Sequence, residues 1–158
     1  MHSTGLAVDR DPAPDRGSVL DGYVVEDQVG FLLRRAHQRH AALFVDGMAT
    51  TAELTPTQFT ALIKTVELGR VTQNQLGRLT AMDPATIQGV MRRLAARGLV
   101  RRLPDPADRR TAVLEATAEG TALAARAVVS ARRITEATLR PLDDSERRQL
   151  LALLRKLA

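Results

Sequence analysis

Hydrophobic residues recur every three or four positions along most of the chain, which is the period of an amphipathic helix. From Asp83 onward the apolar side chains form one stripe at i, i+3, i+4 and i+7: Ile87, Val90, Met91 and Leu94. Near residue 99 the pattern changes to one typical of strands. The pattern predicts helices over about 24–48, 56–68, 73–80, 84–97, 118–139 and 144–157, and strands over 99–103 and 111–115.

Capping residues support these helix ends. Thr55-Pro56-Thr57-Gln58 combines an N-cap threonine, a proline at the first helical position and a glutamine that can close a capping box. Asp83-Pro84 repeats the cap and the proline, and Gly98 supplies a left-handed stop. The short helix after Thr72 is expected to turn Leu76 and Leu79 inward. The last two helices have N-cap residues at Thr117 and Asp143.

The two predicted strands flank a proline- and aspartate-rich loop, Pro104 to Asp108, so they form a β-hairpin. A hairpin directly after a helix-turn-helix pattern is a wing. The predicted fold class is therefore mainly α with a small β-hairpin wing, a winged helix-turn-helix domain with dimerisation helices at both ends. We expect four parts: a flexible tail (1–19), an N-terminal dimerisation helix (20–50), the winged domain (51–116) and C-terminal dimerisation helices (117–158).

Positive charge is concentrated on the helix after Asp83 and on the hairpin. From Pro84 to Arg110 there are seven arginines and two aspartates, which give this segment a net charge of +5, the same as the whole chain. Such a concentration is expected of a phosphate-binding surface, although a solvated basic face is the alternative. The face opposite the apolar stripe is small and cationic, with Ala85, Gly89, Arg92 and Ala96 at its centre and Gln88 and Arg93 at its flanks.

These residue types predict how double-stranded DNA is contacted. Gln88 can pair bidentately with adenine, and the methyl groups of Ala85 and Thr86 can contact thymine methyls. Arg92 can bind guanine or phosphate, and the alternatives stay open. Arg93 and the helix start at Gln73 and Asn74 are expected to hold the phosphate backbone.

Composition excludes several other classes. The chain has no cysteine, hence no disulfide and no thiolate metal site. It has no apolar run long enough for a membrane span and no signal-peptide core near its start, so we expect a cytoplasmic protein without membrane association. None of its four serines lies in a nucleophile motif, there is no glycine-rich phosphate loop, and we expect neither an enzyme nor a cofactor.

Two further classes would also suit a basic winged helix. An architectural DNA-binding protein with little sequence specificity would need the same positive charge, and a footprint spread along any duplex would reveal it. A winged helix that docks onto protein is disfavoured by the basic outer face. The long Ala- and Leu-rich helices at both ends carry more apolar surface than one small domain covers, so we expect a two-fold homodimer; purely intramolecular packing is the alternative.

The order of elements, together with several short motifs, resembles the MarR family of dimeric bacterial transcription factors. The resemblance extends from about Val24 to the C-terminus and is carried by four motifs: Leu54-Thr55-Pro56-Thr57-Gln58-Phe59, Gln75-Leu76-Gly77, Arg93-Leu94 with Arg97-Gly98-Leu99-Val100, and the wing Asp105 to Arg110 leading to Leu114-Glu115-Ala116-Thr117. It implies a transcriptional regulator, more often a repressor. The expected dimer would present two reading helices about one DNA turn apart, which predicts a near-palindromic operator with half-sites roughly 10 bp apart, centre to centre.

The resemblance also assigns roles to the wing tip. It implies that Arg110 enters the adjacent minor groove, that Asp108 orients it and that Arg109 binds phosphate; a pair that only fixes the hairpin is the alternative for Asp108 and Arg110. The sequence departs from the family at Ala85 and Gly89, where Ser or Thr and a basic residue are common. Gly89 either lets the backbone approach DNA closely or is simply tolerated.

A small-molecule effector is a further expectation. The segments Glu26 to Arg34 and Gln38 to His40 resemble a MarR branch that controls aromatic-acid catabolism, which implies an anionic aromatic acid or its coenzyme A thioester. His37 and His40, at i and i+3, lack a third metal ligand nearby, and a histidine on an apolar face is more often a core residue. The residues expected to contact the effector are Phe31, Arg34, Arg35, His37, Arg39, His40, Phe44 and Phe59.

Overall fold

The computed structural model describes residues 20–105 and 112–157, and the chain divides after Ala36 into two compact units. A 3₁₀ turn (Val25–Asp27) precedes the first helix. The elements are α1 (Val29–Ala49), α2 (Pro56–Leu68), β1 (Arg70–Thr72), α3 (Gln73–Leu79), α4 (Pro84–Ala96), β2 (Val100–Pro104), β3 (Ala112–Ala116), α5 (Ala118–Leu139) and α6 (Asp144–Leu157). The predicted fold class, mainly α with a small β-hairpin wing, is confirmed.

Side-chain caps begin the helices where the sequence predicts them. Thr55 and Gln58 form the expected capping box at α2, since each side chain bonds the other residue's backbone N–H. Thr117 accepts the backbone N–H of Gly120 at α5, and Asp143 accepts that of Glu146 at α6. The predicted stop of α4 is also present, because Gly98 has a φ of +71°.

The wing belongs to a three-stranded antiparallel sheet in the order β1-β3-β2. The third strand, β1, is not expected from the sequence. In the central strand, Glu115 lies opposite Arg70 on one side and Arg101 on the other. The tail (1–19) and the hairpin tip (106–111) lie outside the described residues.

The apolar stripe of α4 is buried over its whole length, with Ile87, Val90, Met91 and Leu94 each at most 3% exposed. Met48, Leu62 and Leu76 from the preceding helices are fully buried in the same cluster. At about 25 cal/mol per Å² of apolar surface, burying one such side chain stabilises the fold by roughly 1.5–3 kcal/mol. The core therefore fixes which face of α4 points outward.

The start of α5 lies directly against the end of α4. The Thr117 hydroxyl donates to the carbonyl of Gly98 at 2.7 Å, and the Thr117 backbone N–H donates to the carbonyl of Leu99 at 3.1 Å. A Cβ added at Gly120 would lie 1.9 Å from that same Leu99 oxygen. Only glycine fits at this contact.

The loop between α1 and α2 is bonded to two other helices. The guanidinium of Arg97, at the end of α4, donates to the carbonyls of Ala52 at 3.0 Å and Glu53 at 2.9 Å. The Ser130 hydroxyl of α5 donates to the Thr51 hydroxyl at 3.0 Å. Glu53 has a φ of +48°, an uncommon conformation for a residue with a side chain.

Many apolar side chains in the described ranges are exposed. In α6 no residue is buried, and its leucines form an exposed row: Leu151, Leu153, Leu154 and Leu157. Between residues 20 and 33 the exposed apolar side chains are those of Leu20, Tyr23, Val24, Val25, Val29, Leu32 and Leu33. No helix in residues 20–105 and 112–157 has both the length and the apolar run needed to cross a lipid bilayer.

Candidate nucleic-acid interface

The face of helix α4 that is predicted from the sequence to contact DNA lies on the surface. Ala85, Thr86, Gln88, Arg92 and Arg93 are all exposed, while Gly89 is half-buried. A Cβ added at Gly89 would meet only the Arg93 Nη1 atom, at 3.9 Å. The fold itself therefore does not require glycine at this position, and the two explanations offered for it both stay open.

A groove of about 610 Å³ separates α4 from the base of the wing. Four of the predicted DNA contacts lie on its walls: Gln73, Asn74, Gln88 and Arg92. Arg101 and Arg102 of β2 line the same groove, although they are not among the contact residues predicted from the sequence. The hairpin geometry carries these two arginines next to the outer face of α4, so the groove combines amide and guanidinium groups from α3, α4 and β2.

The carboxylate of Glu115 holds two arginines at the base of the wing. Its Oε2 lies 2.6 Å from Nη2 of Arg101, and its Oε1 lies 3.2 Å from Nε of Arg70. The hydrogen bond from Arg101, followed by that from Arg70, lowers the pKa of Glu115 below that of an ordinary glutamate. Both arginine side chains remain more than half exposed at their other edges, so they stay accessible to phosphate.

We expect Glu115 to titrate below a free glutamate, and we expect an Arg101→Gln variant to move its pKa upward. The stabilising effect of the pair is present above the unfolded-state pKa of Glu115 and is lost as the pH falls through the lower folded-state pKa. Carbon-13 NMR titration of the Glu115 carboxyl group measures both values. An unchanged pKa in Arg101→Gln would contradict this account, and Lys64→Gln, which removes a cation from a pair with Glu67, is a matched control.

The start of α4 is held by Asp83. Its Oδ1 accepts the backbone N–H groups of Ala85 and Thr86 at 3.0 and 2.9 Å, and its Oδ2 accepts the Thr86 hydroxyl at 2.5 Å. The hydrogen bond from the Thr86 side chain is the main cause that lowers the pKa of Asp83. The predicted cap is thus present, with an additional bond to a predicted contact residue.

The predicted wing-tip contacts Asp108, Arg109 and Arg110 lie outside the described residues. Their proposed roles in the minor groove and at phosphate remain predictions.

The predicted effector residues form two groups. Within the first unit, the guanidinium carbons of Arg34 and Arg35 lie 5.0 and 5.9 Å from the ring centre of Phe31. Both distances are within the range of a cation–π interaction. Aromatic character and positive charge therefore occur together at this part of α1.

In the second unit, the ring of Phe44 lies 6.4 Å from that of His40 and 5.7 Å from that of Phe59. His40 Nδ1 is 2.9 Å from the Thr138 hydroxyl of α5. The other two predicted residues, His37 and Arg39, are exposed. The described residues contain no group of three or more His, Cys, Asp or Glu side chains arranged to hold a metal.

A cavity of about 410 Å³ lies between the second half of α1 and α5. None of the predicted effector residues lines this cavity. Its walls come from two helices that are far apart in the sequence, so no local sequence pattern indicates it. Gly47 and Ile134 are in close contact there, since a Cβ on Gly47 would lie 2.7 Å from Ile134. The lining residues are Leu43, Asp46, Gly47, Thr50, Thr51, Ser130, Arg133, Ile134 and Ala137.

Comparison with known proteins identifies the family. The model of the MarR family matches residues 54–112, from the residue before the α2 cap to the first residue of β3. The HTH-type transcriptional repressor NicR of Pseudomonas putida is 44% identical over 135 residues, which cover 85% of this chain and 85% of NicR. The chain belongs to the MarR family.

Solved structures agree with this assignment. A probable transcriptional regulator from Pseudomonas aeruginosa is 46% identical, with a TM-score of 0.82 over 85% of this MarR-family chain and 100% of its own. BpsR of Bordetella bronchiseptica, whose DNA binding is regulated by 6-hydroxynicotinic acid, is 40% identical, with a TM-score of 0.81 over 85% of this chain and 96% of its own. The protein is therefore a winged helix-turn-helix transcriptional regulator of the MarR family.

Proposed function

We propose that the protein is a homodimeric repressor that binds a near-palindromic operator and leaves it when a small aromatic carboxylic acid binds. The observation that carries this proposal is the groove between α4 and the wing base, where Gln88 and Arg92 face the arginines of β2. Amide and guanidinium groups that share one groove suit the combined recognition of base edges and phosphates. The net charge of +5 on the segment that builds this surface supplies the attraction to a polyanion.

The dimer in this proposal is supported by the exposed leucine row of α6, defined above. Leu157 is 72% exposed and Leu153 is 48% exposed in the isolated chain. Leucines repeated along one face of a helix are expected to be covered by another apolar surface. A second copy of the chain supplies such a surface, and two-fold symmetry then presents two copies of α4 to one duplex.

The proposed effector is an aromatic acid because cationic and aromatic side chains occur together in the predicted effector set. Arg34 and Arg35 can attract a carboxylate while remaining against the ring of Phe31. The other predicted effector residues belong to the second unit, where the buried ring of Phe44 lies against those of His40 and Phe59. The relation to BpsR favours a free pyridine carboxylic acid such as 6-hydroxynicotinic acid over a coenzyme A thioester.

Nuclease footprinting on the promoter regions around the gene tests the proposal. We expect protection of one or a few inverted repeats in excess random competitor, with affinity that falls steeply between 50 and 200 mM salt, by about a thousandfold for six phosphate contacts. Added 6-hydroxynicotinic acid or benzoic acid is expected to remove the protection. Protection that spreads over any duplex would indicate an architectural DNA-binding protein instead, and protection unaffected by every acid or thioester in a panel would contradict the effector.

A further inference from the structure

The hydrogen bonds at the start of α4 give the Thr86 side chain one orientation. Its hydroxyl donates to Oδ2 of Asp83, whose Oδ1 is already occupied by two backbone N–H groups. An ionised carboxylate only accepts hydrogen bonds, so the single hydroxyl hydrogen of Thr86 points at Asp83. Asp83 is exposed, and the hydrogen bonds from Thr86 lower its pKa below that of an ordinary aspartate, so its carboxylate is ionised at neutral pH.

This arrangement limits what Thr86 can offer to a base. A hydroxyl whose hydrogen is held by Asp83 cannot donate to the acceptors of the major groove, which are guanine O6 and N7, adenine N7 and thymine O4. The hydroxyl oxygen can still accept a hydrogen bond, and the other branch of the exposed side chain is its methyl group. The neighbouring exposed residue, Ala85, offers another methyl group.

We propose that Asp83 makes the first turn of α4 selective for thymine methyl groups, by holding the Thr86 hydroxyl so that its methyl meets the base edge. This inference rests on the proposed operator binding and goes further, since it names the chemical group that is recognised. Thr86 is then the contact residue and Asp83 the positioning residue. The thymine C5 methyl is the one methyl group that the four bases display in the major groove.

Deoxyuridine in place of thymine tests this directly, because it removes the methyl group and leaves all hydrogen-bonding groups unchanged. The probe is the duplex most enriched from a random pool by the full-length protein, with each thymine replaced in turn. We expect one thymine, or two neighbouring thymines, in each half-site to be sensitive. The expected loss of affinity is roughly fourfold per methyl group, and roughly fifteenfold when both half-sites are substituted.

Three variants distinguish the methyl contact from a merely structural role. Thr86→Ser keeps the bond to Asp83 but lacks the methyl, so the thymine-to-deoxyuridine affinity ratio should fall to one. Thr86→Val keeps a methyl and lacks the hydroxyl, so the ratio should persist. Asp83→Asn remains a good helix cap, but its amide donates to the Thr86 hydroxyl oxygen and frees the hydroxyl hydrogen. This variant should keep the thymine-to-deoxyuridine ratio, because the hydroxyl oxygen is still held at residue 83, and should gain affinity for a purine at that position, because the freed hydrogen can be donated.

The outcomes separate this inference from the proposed function. If no duplex is enriched over the random pool, operator binding itself is wrong. If a duplex is enriched but thymine and deoxyuridine bind equally at every position, the methyl-reading role is overturned. The role is also overturned if Thr86→Ser retains the full ratio, or if Asp83→Asn gains no affinity for a purine at that position. Thermal melts by circular dichroism establish that all three variants are folded at the assay temperature.

Discussion

A Gly120→Ala variant is expected to lose more than about 4 kcal/mol of unfolding free energy, a large part of the stability of an ordinary domain. The added Cβ would lie 1.9 Å from the carbonyl oxygen and 2.9 Å from the carbonyl carbon of Leu99. Both are backbone atoms, so no side-chain rotation relieves the clash, and α5 must move away from the end of α4. That movement breaks the bonds from Thr117 to Gly98 and Leu99. Denaturant unfolding followed by circular dichroism measures the change.

Gly89→Ala is the matched control, because it adds the same methyl group to a helical glycine where the only atom of the described residues that it would meet within 4 Å is the tip of the Arg93 side chain. Alanine is about 1 kcal/mol better than glycine inside a helix, so this variant should be as stable as the parent chain or more stable. A Gly120→Ala protein that unfolds at the parent's denaturant midpoint would show that the contact with Leu99 is not close in solution.

Leu154→Glu is expected to dissociate the proposed dimer and weaken operator binding by about a hundredfold or more. Leu154 lies in the exposed leucine row of α6 and is 38% exposed in the isolated chain. A carboxylate at the centre of a covered apolar surface loses its hydration without gaining a partner, which strongly disfavours association. Separate monomers also bind the two half-sites independently, so the higher affinity that comes from linking the two binding events is lost. Sedimentation equilibrium and operator titration measure the two effects.

Ala152→Glu provides the control for charge, since it introduces the same carboxylate on the opposite face of α6, where the residue is also exposed. We expect this variant to remain dimeric and to bind the operator as the parent does. If Leu154→Glu sediments as the parent does, the leucine row is not the surface that joins the two copies. If both variants become monomeric, negative charge anywhere on α6 is responsible rather than loss of the apolar face.

Features that depend on a few neighbouring residues could be predicted from the sequence. The cap at Thr55, the cap and proline at Asp83-Pro84 and the left-handed Gly98 each rest on local backbone hydrogen bonds or sterics, and all are present. The buried stripe of α4 followed from helical periodicity alone, and it determines which face of the helix is exposed. The identity of the outward-facing residues was therefore predictable without knowledge of what they bind.

Features that depend on distant pairing were not predictable in the same way. Strand β1 has three residues, too few to show alternation, and it exists because Arg70 to Thr72 pair with Val113 to Glu115. Arg101 and Arg102 enter the groove only because the hairpin folds back beside α4. Leu79, expected to point inward, is 50% exposed, since the helix that carries it ends there. Helix α1 begins at Val29 rather than near Val24, after a 3₁₀ turn.

The loop that joins α1 to α2 connects α4 and α5, the two helices on either side of the wing in sequence. Arg97, at the end of α4, and Ser130, in the middle of α5, both donate hydrogen bonds of 2.9 to 3.0 Å to this loop. Such bonds fail beyond about 3.5 Å. A displacement of α5 that lengthens the Ser130–Thr51 bond by more than about half an ångström therefore breaks it, unless the loop moves along with α5 and pulls on Arg97 at the end of the helix proposed to contact DNA.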